Sequence, residues 1–96
     1  FGRTPGLGLS FTRLDMGASD FSRTHYSYDD VPAGQTDPTL ARFTLAPDSA
    51  ETIPVVKQAL AINADLKVMA SPWSAPAWMK TTGTLIKGQL KPEWYG

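Results

Sequence analysis

The chain has 96 residues, no cysteine, and nine Lys plus Arg against nine Asp plus Glu. This length allows one small domain, and the missing cysteine excludes a disulfide framework and a thiolate metal site. The balanced charge gives no electrostatic basis for binding nucleic acid or an anionic membrane. No apolar run approaches the roughly 20 residues that a transmembrane helix needs.

The first predicted element is a strand over residues 7–14. Leu7, Leu9 and Phe11 alternate with small or polar residues, and this period of two is typical of a strand. A loop over about residues 15–47 follows, and it is far longer than the about four to six residues of a typical connection. Loops of such length are usually functional, so this segment is a candidate for ligand contacts.

The second predicted element is a helix over residues 52–62. Its apolar side chains share one helical face: Ile53, Val56 and Leu60, widened by Val55, Ala59 and Ile62. Pro54 belongs in the first turn, where its missing donor costs little, and Thr52 is then the simplest N-cap. Asp48 with Glu51 forms a competing capping box, which would place Pro54 inside the helix.

The third predicted element is a strand over residues 66–71. Pro72 lacks a backbone donor, so the strand is expected to stop there and to be followed by a loop carrying Trp73 and Trp78. The order strand, helix, strand predicts an α/β unit with two parallel strands. Binding sites of such proteins lie at the carboxyl ends of the strands, which places the tryptophan loop at the best candidate site.

Parallel topology also brings the long loop beside the tryptophan loop. The residues expected at this end of the sheet are Arg13, Asp15, Asp20, Trp73 and Trp78. One such unit leaves strand edges open and covers one face of its sheet only. Residues 91–95 also resemble the first turn of a further helix, with Pro92 at its first position. We therefore expect residues 1–96 to be the N-terminal part of a larger α/β domain and thus to be incomplete by themselves. The alternative is a complete small domain.

Three segments carry a family resemblance: GLGLSFTRLDMGASDFS at 6–22, YSYDD at 26–30, and LKVMASPWSAPAWMKTTGTL at 66–85. Together they resemble glycoside hydrolase family 30, the family of glucosylceramidase (glucocerebrosidase) and related β-glycosidases. The resemblance implies a partial (β/α)8 TIM barrel comprising the second strand, its long loop, the second helix and the third strand. It also implies that the parent protein is a retaining glycosidase, for which secretion is favoured. This chain would then need the rest of the barrel to form the complete domain.

The resemblance assigns roles to three residues of this sequence. Arg13 matches an active-site arginine that supports the catalytic carboxylates. Asp20 matches an aspartate that accepts hydrogen bonds from sugar hydroxyls, and Trp73 matches a tryptophan that lines the same pocket. An aromatic ring covers the apolar face of a pyranose while a carboxylate orients its hydroxyls, so these roles fit the residue types. Trp78 is expected to pack beneath the loop.

The sequence also departs from the family pattern. A retaining glycosidase needs two carboxylates about 5 Å apart. The Asn-Glu-Pro motif that carries the acid/base glutamate in the family is absent, and neither Glu51 nor Glu93 lies where a catalytic group is needed. This chain is therefore expected to contain no catalytic glutamate, no metal site and no cofactor, and to be inactive alone. Asp15 stands where many relatives have proline.

Each proposed site residue also has a structural interpretation. Arg13 could be an ordinary strand residue paired with Asp15 or a neighbouring loop. Asp20 could cap a turn, and Trp73 could anchor its loop in the protein interior. These alternatives remain open at the level of sequence.

The other polar and aromatic residues of the long loop are assigned structural roles. His25 has no partner at catalytic or metal-binding spacing and is expected in the loop or at the rim of the site. Tyr26 and Tyr28 are expected to pack within the loop. Asp29 and Asp30 are expected to form a solvated turn without a metal ion.

The function predicted for the parent protein is a glucosylceramidase-like β-glucosidase acting on a β-linked sugar. An endo-acting β-1,6-glucanase or galactanase of the same family is the alternative. A non-catalytic carbohydrate-binding module would be all-β, and the helix at 52–62 argues against it. A nucleotide-binding unit would need glycines after the first strand, but Gly2, Gly6 and Gly8 precede or begin it.

Overall fold

The computed structural model describes residues 1–2, 4 and 6–95. The regular elements are strand β1 at Phe11–Met16, helix α1 at Thr52–Ile62 and strand β2 at Lys67–Pro72. Short 3₁₀ turns occur at Ala46–Asp48, Ala77–Met79 and Pro92–Trp94. Within the described ranges, no helix is long and apolar enough to cross a membrane.

The two strands pair in parallel, and α1 lies between them in the sequence. Phe11 is opposite Lys67, and Met16 is opposite Pro72. This arrangement confirms the predicted strand, helix, strand order. It places the long loop after β1 and the tryptophan loop after β2 at the same end of the sheet.

The strand bounds differ from those predicted. β1 begins at Phe11 instead of Leu7, and the Gly8 N–H donates to the Gly2 carbonyl at 2.9 Å instead of to β2. Leu7 is 90% exposed. β2 is shifted by one residue, so Pro72 is the last residue of the strand instead of the first residue after it.

Helix α1 has the predicted bounds, but its N-cap is Glu51 instead of Thr52, and no side chain caps the helix. Pro54 lies in the first turn, where a missing N–H leaves no helical hydrogen bond unmade. The competing capping box is not formed, since Asp48 belongs to the preceding 3₁₀ turn. The C-cap is Asn63, whose side chain also donates to the Leu9 carbonyl at 3.1 Å.

The sheet faces α1 with one set of side chains and leaves the other face open. An apolar cavity of about 290 Å³ lies between the sheet and the helix. It is lined by Leu14 of β1, Ala70 of β2, and Ile53 and Val56 of α1. On the opposite face Met69 remains 47% exposed. The helix thus covers one side of a two-stranded sheet, as a single strand–helix–strand unit must.

The long loop, residues 17–45, contains no strand or helix but is anchored by side chains. Asp29 is only 2% exposed, so the expectation of a solvated turn is wrong for this residue. Its carboxylate and its carbonyl accept the Trp78 indole N–H, each at 3.2 Å, which draws it inside. Asp30 is exposed and accepts from the Ser27 hydroxyl at 2.6 Å.

Candidate functional site

A cavity of about 420 Å³ opens at the carboxyl ends of the two strands. The first loop contributes Asp20 and His25 to its lining, and the second contributes Trp73. Trp73 is 49% exposed and Asp20 is exposed, so both present unburied surface to a ligand. The structure therefore places the two predicted sugar-binding residues on one cavity, although they are 53 positions apart in the sequence.

The strand ends fix the two sides of this cavity relative to each other. The Trp73 N–H donates to the Met16 carbonyl at 3.5 Å and extends the parallel ladder by one step. On the other side Ala18 donates to the Tyr26 carbonyl at 2.9 Å, which closes the start of the long loop. Asp20 and Trp73 are thus carried on loops whose first residues are hydrogen bonded.

The segment 80–90 forms the far wall of the cavity. Lys80 and Leu90 form an antiparallel bridge, and Thr81 donates to the Gln89 carbonyl at 2.8 Å. Between them Leu85, Ile86, Lys87 and Gly88 face the cavity. Sequence analysis assigned no role to this segment, because its main-chain hydrogen bonds leave no signature in residue type.

Lys80 joins the far wall to the tryptophan loop. Its ammonium donates to the Ser74 hydroxyl at 3.0 Å and to the Leu85 carbonyl at 2.7 Å. The Ser74 hydroxyl donates to the same carbonyl at 2.8 Å. Ser74 and Lys80 belong to the motif that carries the family resemblance. Their place in that motif was the sequence feature that could have indicated a role for them in the site.

Trp78 supports the site from beneath, as predicted. It is 7% exposed, and its ring meets that of Trp94 edge to face, with centroids 4.8 Å apart. Burial and the neighbouring charge of Asp37 raise the pKa of Asp29, the carboxyl group that accepts from Trp78. The backbone N–H of Arg42 lowers the pKa of Asp37, so the two carboxyl groups differ in their tendency to ionise.

A second buried carboxylate holds the two tyrosines of the long loop. Asp48 is 4% exposed, and it accepts the hydroxyl of Tyr26 at 2.5 Å as well as that of Tyr28. The hydrogen bond to Asp48 and partial burial raise the pKa of Tyr26 to about 12. Both tyrosines pack within the loop, as expected, and Tyr26 also reaches the cavity that holds Asp20.

Arg13 lies outside the cavity lined by Asp20 and Trp73. Its Nε donates to the Ser71 hydroxyl across the strand pair at 3.1 Å. It lines a neighbouring cavity of about 250 Å³, and Ser19 and Tyr26 border both spaces. No ion pair joins Arg13 to Asp15 in the described part of the chain, where the one salt bridge is Arg23 to Glu51.

The two glutamates lie away from the cavity. Glu51 precedes α1 and pairs with Arg23 at 3.3 Å, while Glu93 is in the exposed 3₁₀ turn that follows the far wall. Within residues 1–2, 4 and 6–95, no group of three His, Asp or Glu side chains could hold a metal ion. The cavity can therefore bind through one carboxylate, one imidazole and an indole, but it lacks a pair of closely spaced carboxylates.

A parallel strand–helix–strand unit with its cavity at the carboxyl strand ends is an arrangement that α/β barrels share with open α/β sheets. The chain belongs to glycosyl hydrolase family 30: the model of the TIM-barrel domain of that family matches residues 1–93.

Named relatives agree with this assignment. A Caenorhabditis elegans protein named as a glucosylceramidase is 43% identical over 83 residues, covering 84% of this chain and 15% of that protein. The lysosomal acid glucosylceramidase of Mus musculus is 36% identical, over 92% of this chain and 17% of its own length. The solved structure of the endo-β1,6-glucanase BT3312 is 35% identical, with a TM-score of 0.79 over 99% of this chain and 22% of its own. The chain thus spans about a sixth of the curated relatives that it matches.

Proposed function

We propose that this chain is the sugar-binding wall of the catalytic barrel of a retaining β-glycosidase. One observation carries the proposal: the Asp20 carboxylate and the Trp73 indole line a single cavity at the strand ends. A carboxylate accepts two sugar hydroxyls at once, and an indole covers the C–H face of the ring. In the barrel, residues 1–96 supply the second strand, the second helix and the third strand.

The glycosidic bond is cleaved by groups outside this chain. In a retaining mechanism one carboxylic acid protonates the leaving oxygen while a carboxylate about 5–5.5 Å away attacks the anomeric carbon. Since Glu51 and Glu93 lie away from the cavity, both groups come from later parts of the barrel. Arg13 is on the open face of β1, where its guanidinium supports those carboxylates in their ionised form.

The proposed substrate is a β-glucoside of the glucosylceramide type, with a role in sphingolipid metabolism. Relatives named as glucosylceramidases, at 43% and 36% identity, support this choice. The cavity lining agrees with it, because Leu85 and Ile86 offer apolar surface to an aglycone.

Replacing Asp20 by alanine tests the proposal in the full-length protein that contains this segment. We expect kcat/KM for a β-glucoside to fall about 100-fold or more, because a site built to bind hydroxyl groups loses their acceptor. Asp65→Ala is the matched control, since Asp65 is an exposed carboxylate beyond the opposite end of the sheet. Equal kinetics for the two variants would remove Asp20 from the site.

The alternative function is an endo-acting β-1,6-glucanase. The match to the endo-β1,6-glucanase BT3312 over 99% of this chain favours it. Product analysis separates the candidates: release of glucose from glucosylceramide supports the first, and release of oligosaccharides from β-1,6-glucan supports the second. A full-length protein that binds these sugars and cleaves neither would be a carbohydrate-binding protein.

A further inference from the structure

Lys80 is a buried cation that borders the sugar cavity, and the proposed reaction gives it no role. Its residue exposure is 8%, and no carboxylate of the described residues lies within ion-pair distance of it. Burying an ammonium group is costly unless hydrogen bonds replace its water. The Ser74 hydroxyl and the Leu85 carbonyl provide two such bonds, at 3.0 and 2.7 Å.

These two acceptors belong to different sides of the sugar cavity. Ser74 directly follows Trp73, whereas Leu85 begins the stretch 85–88 of the far wall. The hydrogen bond from the Ser74 hydroxyl to the Leu85 carbonyl closes a triangle with the ammonium group. The spacing between the two sides is therefore held by three hydrogen bonds, and the buried Lys80 nitrogen donates two of them.

We infer that Lys80 is a positioning residue that sets the distance between the indole of Trp73 and the far wall at 85–88. This inference rests on the proposed function, because the distance matters only if Trp73 binds the sugar. A lysine suits the task, since a compact ammonium donates in several directions from one point. An arginine at this position would keep the positive charge and the N–H donors, but on a larger planar group. We therefore expect arginine to replace Lys80 only in part.

The test compares Lys80→Met with wild type in the full-length protein. We expect KM for the β-glucoside to rise about tenfold while kcat stays within about twofold, because Trp73 contributes binding that is shared by ground and transition states. Lys80→Arg should recover part of the loss. Lys67→Met is the control, since Lys67 is an exposed lysine at the amino end of β2.

A double-mutant cycle with Trp73→Ala separates positioning from general destabilisation. If Lys80 acts through the indole, Lys80→Met raises KM much less in the Trp73→Ala background than in wild type. Ser74→Ala removes one acceptor without changing charge, and it should raise KM about threefold in the same direction. This variant keeps the test decisive if Lys80→Met fails to fold.

Two outcomes would overturn the inference. One is a KM of Lys80→Met, or of Ser74→Ala if the former does not fold, equal to that of Lys67→Met. The other is full additivity of the Lys80 and Trp73 substitutions. Failure of the proposed function looks different, because wild-type protein would then cleave neither a β-glucoside nor a β-1,6-glucan.

Discussion

At the scale of single residues, Asp29 makes the stability of the long loop depend on pH. Its folded pKa is raised, mainly by burial and then by the charge of Asp37. The neutral acid is thus favoured in the folded state, and its stabilisation is complete below the unfolded pKa of about 3.9. That stabilisation is lost as the pH rises through the folded pKa.

Asp29→Asn should remove this loss, because an amide stays neutral and still accepts the Trp78 N–H. We expect the variant to melt at a higher temperature than wild type near neutral pH, because the folded state no longer holds a carboxyl group whose ionisation burial opposes. The difference should vanish near pH 3. Thermal unfolding of the full-length protein at both pH values measures it, with the exposed Asp65→Asn as control. A constant difference across pH would contradict the assignment.

The family motif, together with the chemistry of a carboxylate and an indole, selected Asp20 and Trp73, and the structure places both on one cavity. Motif and chemistry were not enough for Asp29, whose partner Trp78 is 49 positions away. A carboxylate in a polar turn sequence is usually solvated, and only the approach of an indole N–H across the fold reverses that expectation. Lys80 was missed for the same reason, because its acceptors are a hydroxyl and a main-chain carbonyl instead of an acidic residue.

At the scale of elements, the end of β1 depends on Gly17. This residue has a φ of +80°, and a Cβ placed on it would lie 3.1 Å from the Tyr26 carbonyl oxygen. Gly34 has a φ of +82°, but a Cβ there would meet no atom within 4 Å. An alanine at Gly34 would therefore cause conformational strain alone, whereas an alanine at Gly17 would cause the same strain and a steric clash.

Gly34→Ala should destabilise the full-length protein by about 1 kcal/mol, the cost of a left-handed conformation for a residue with a side chain. Gly17→Ala should cost clearly more, because the Tyr26 carbonyl must also move. Chemical denaturation of both variants measures the difference. Equal stabilities would mean that the turn after β1 relaxes freely, and the loop bearing Asp20 would then not be fixed by this contact.

The bounds of the helix could be predicted, although its N-cap could not, whereas the strand bounds could not. Residues 52–62 carry a broad apolar face, a proline in the first turn and a stop signal at Asn63, all of them local. Strand bounds depend on which residues pair, and alternation at Leu7 and Leu9 contains no information on the register with β2. The first strand therefore begins four residues later than its pattern indicates.

At the scale of the whole molecule, residues 1–96 expose more surface than a folded domain of their mass. The accessible area is 7032 Å², against about 5,400 Å² for a monomeric protein of this mass. The radius of gyration is 16.2 Å, against about 12.5 Å for a compact domain of this length. Large apolar side chains contribute to this surface, with Phe21 99% and Phe11 56% exposed.

The isolated 96 residues should therefore have a low free energy of unfolding and should unfold without a cooperative transition. They should also associate through the open strand edges. Calorimetry and light scattering at several concentrations measure both properties. A sharp two-state transition of a monomer would contradict the proposal that this unit needs the remainder of the barrel. The full-length protein serves as the control, since a closed barrel gives every strand a neighbour on both sides.

The edge-to-face pair of Trp78 and Trp94 gives the molecule its own optical signal. Two indoles at a centroid distance of 4.8 Å and an interplanar angle of 86° are close enough to couple their electronic transitions, so we expect an exciton couplet in circular dichroism. The couplet exists only while residues 78–94 hold their shape, so its disappearance marks the opening of the segment behind the cavity. Trp73 lies outside the pair and is half exposed, so we expect its contribution to the fluorescence to be the one that responds to an arriving sugar.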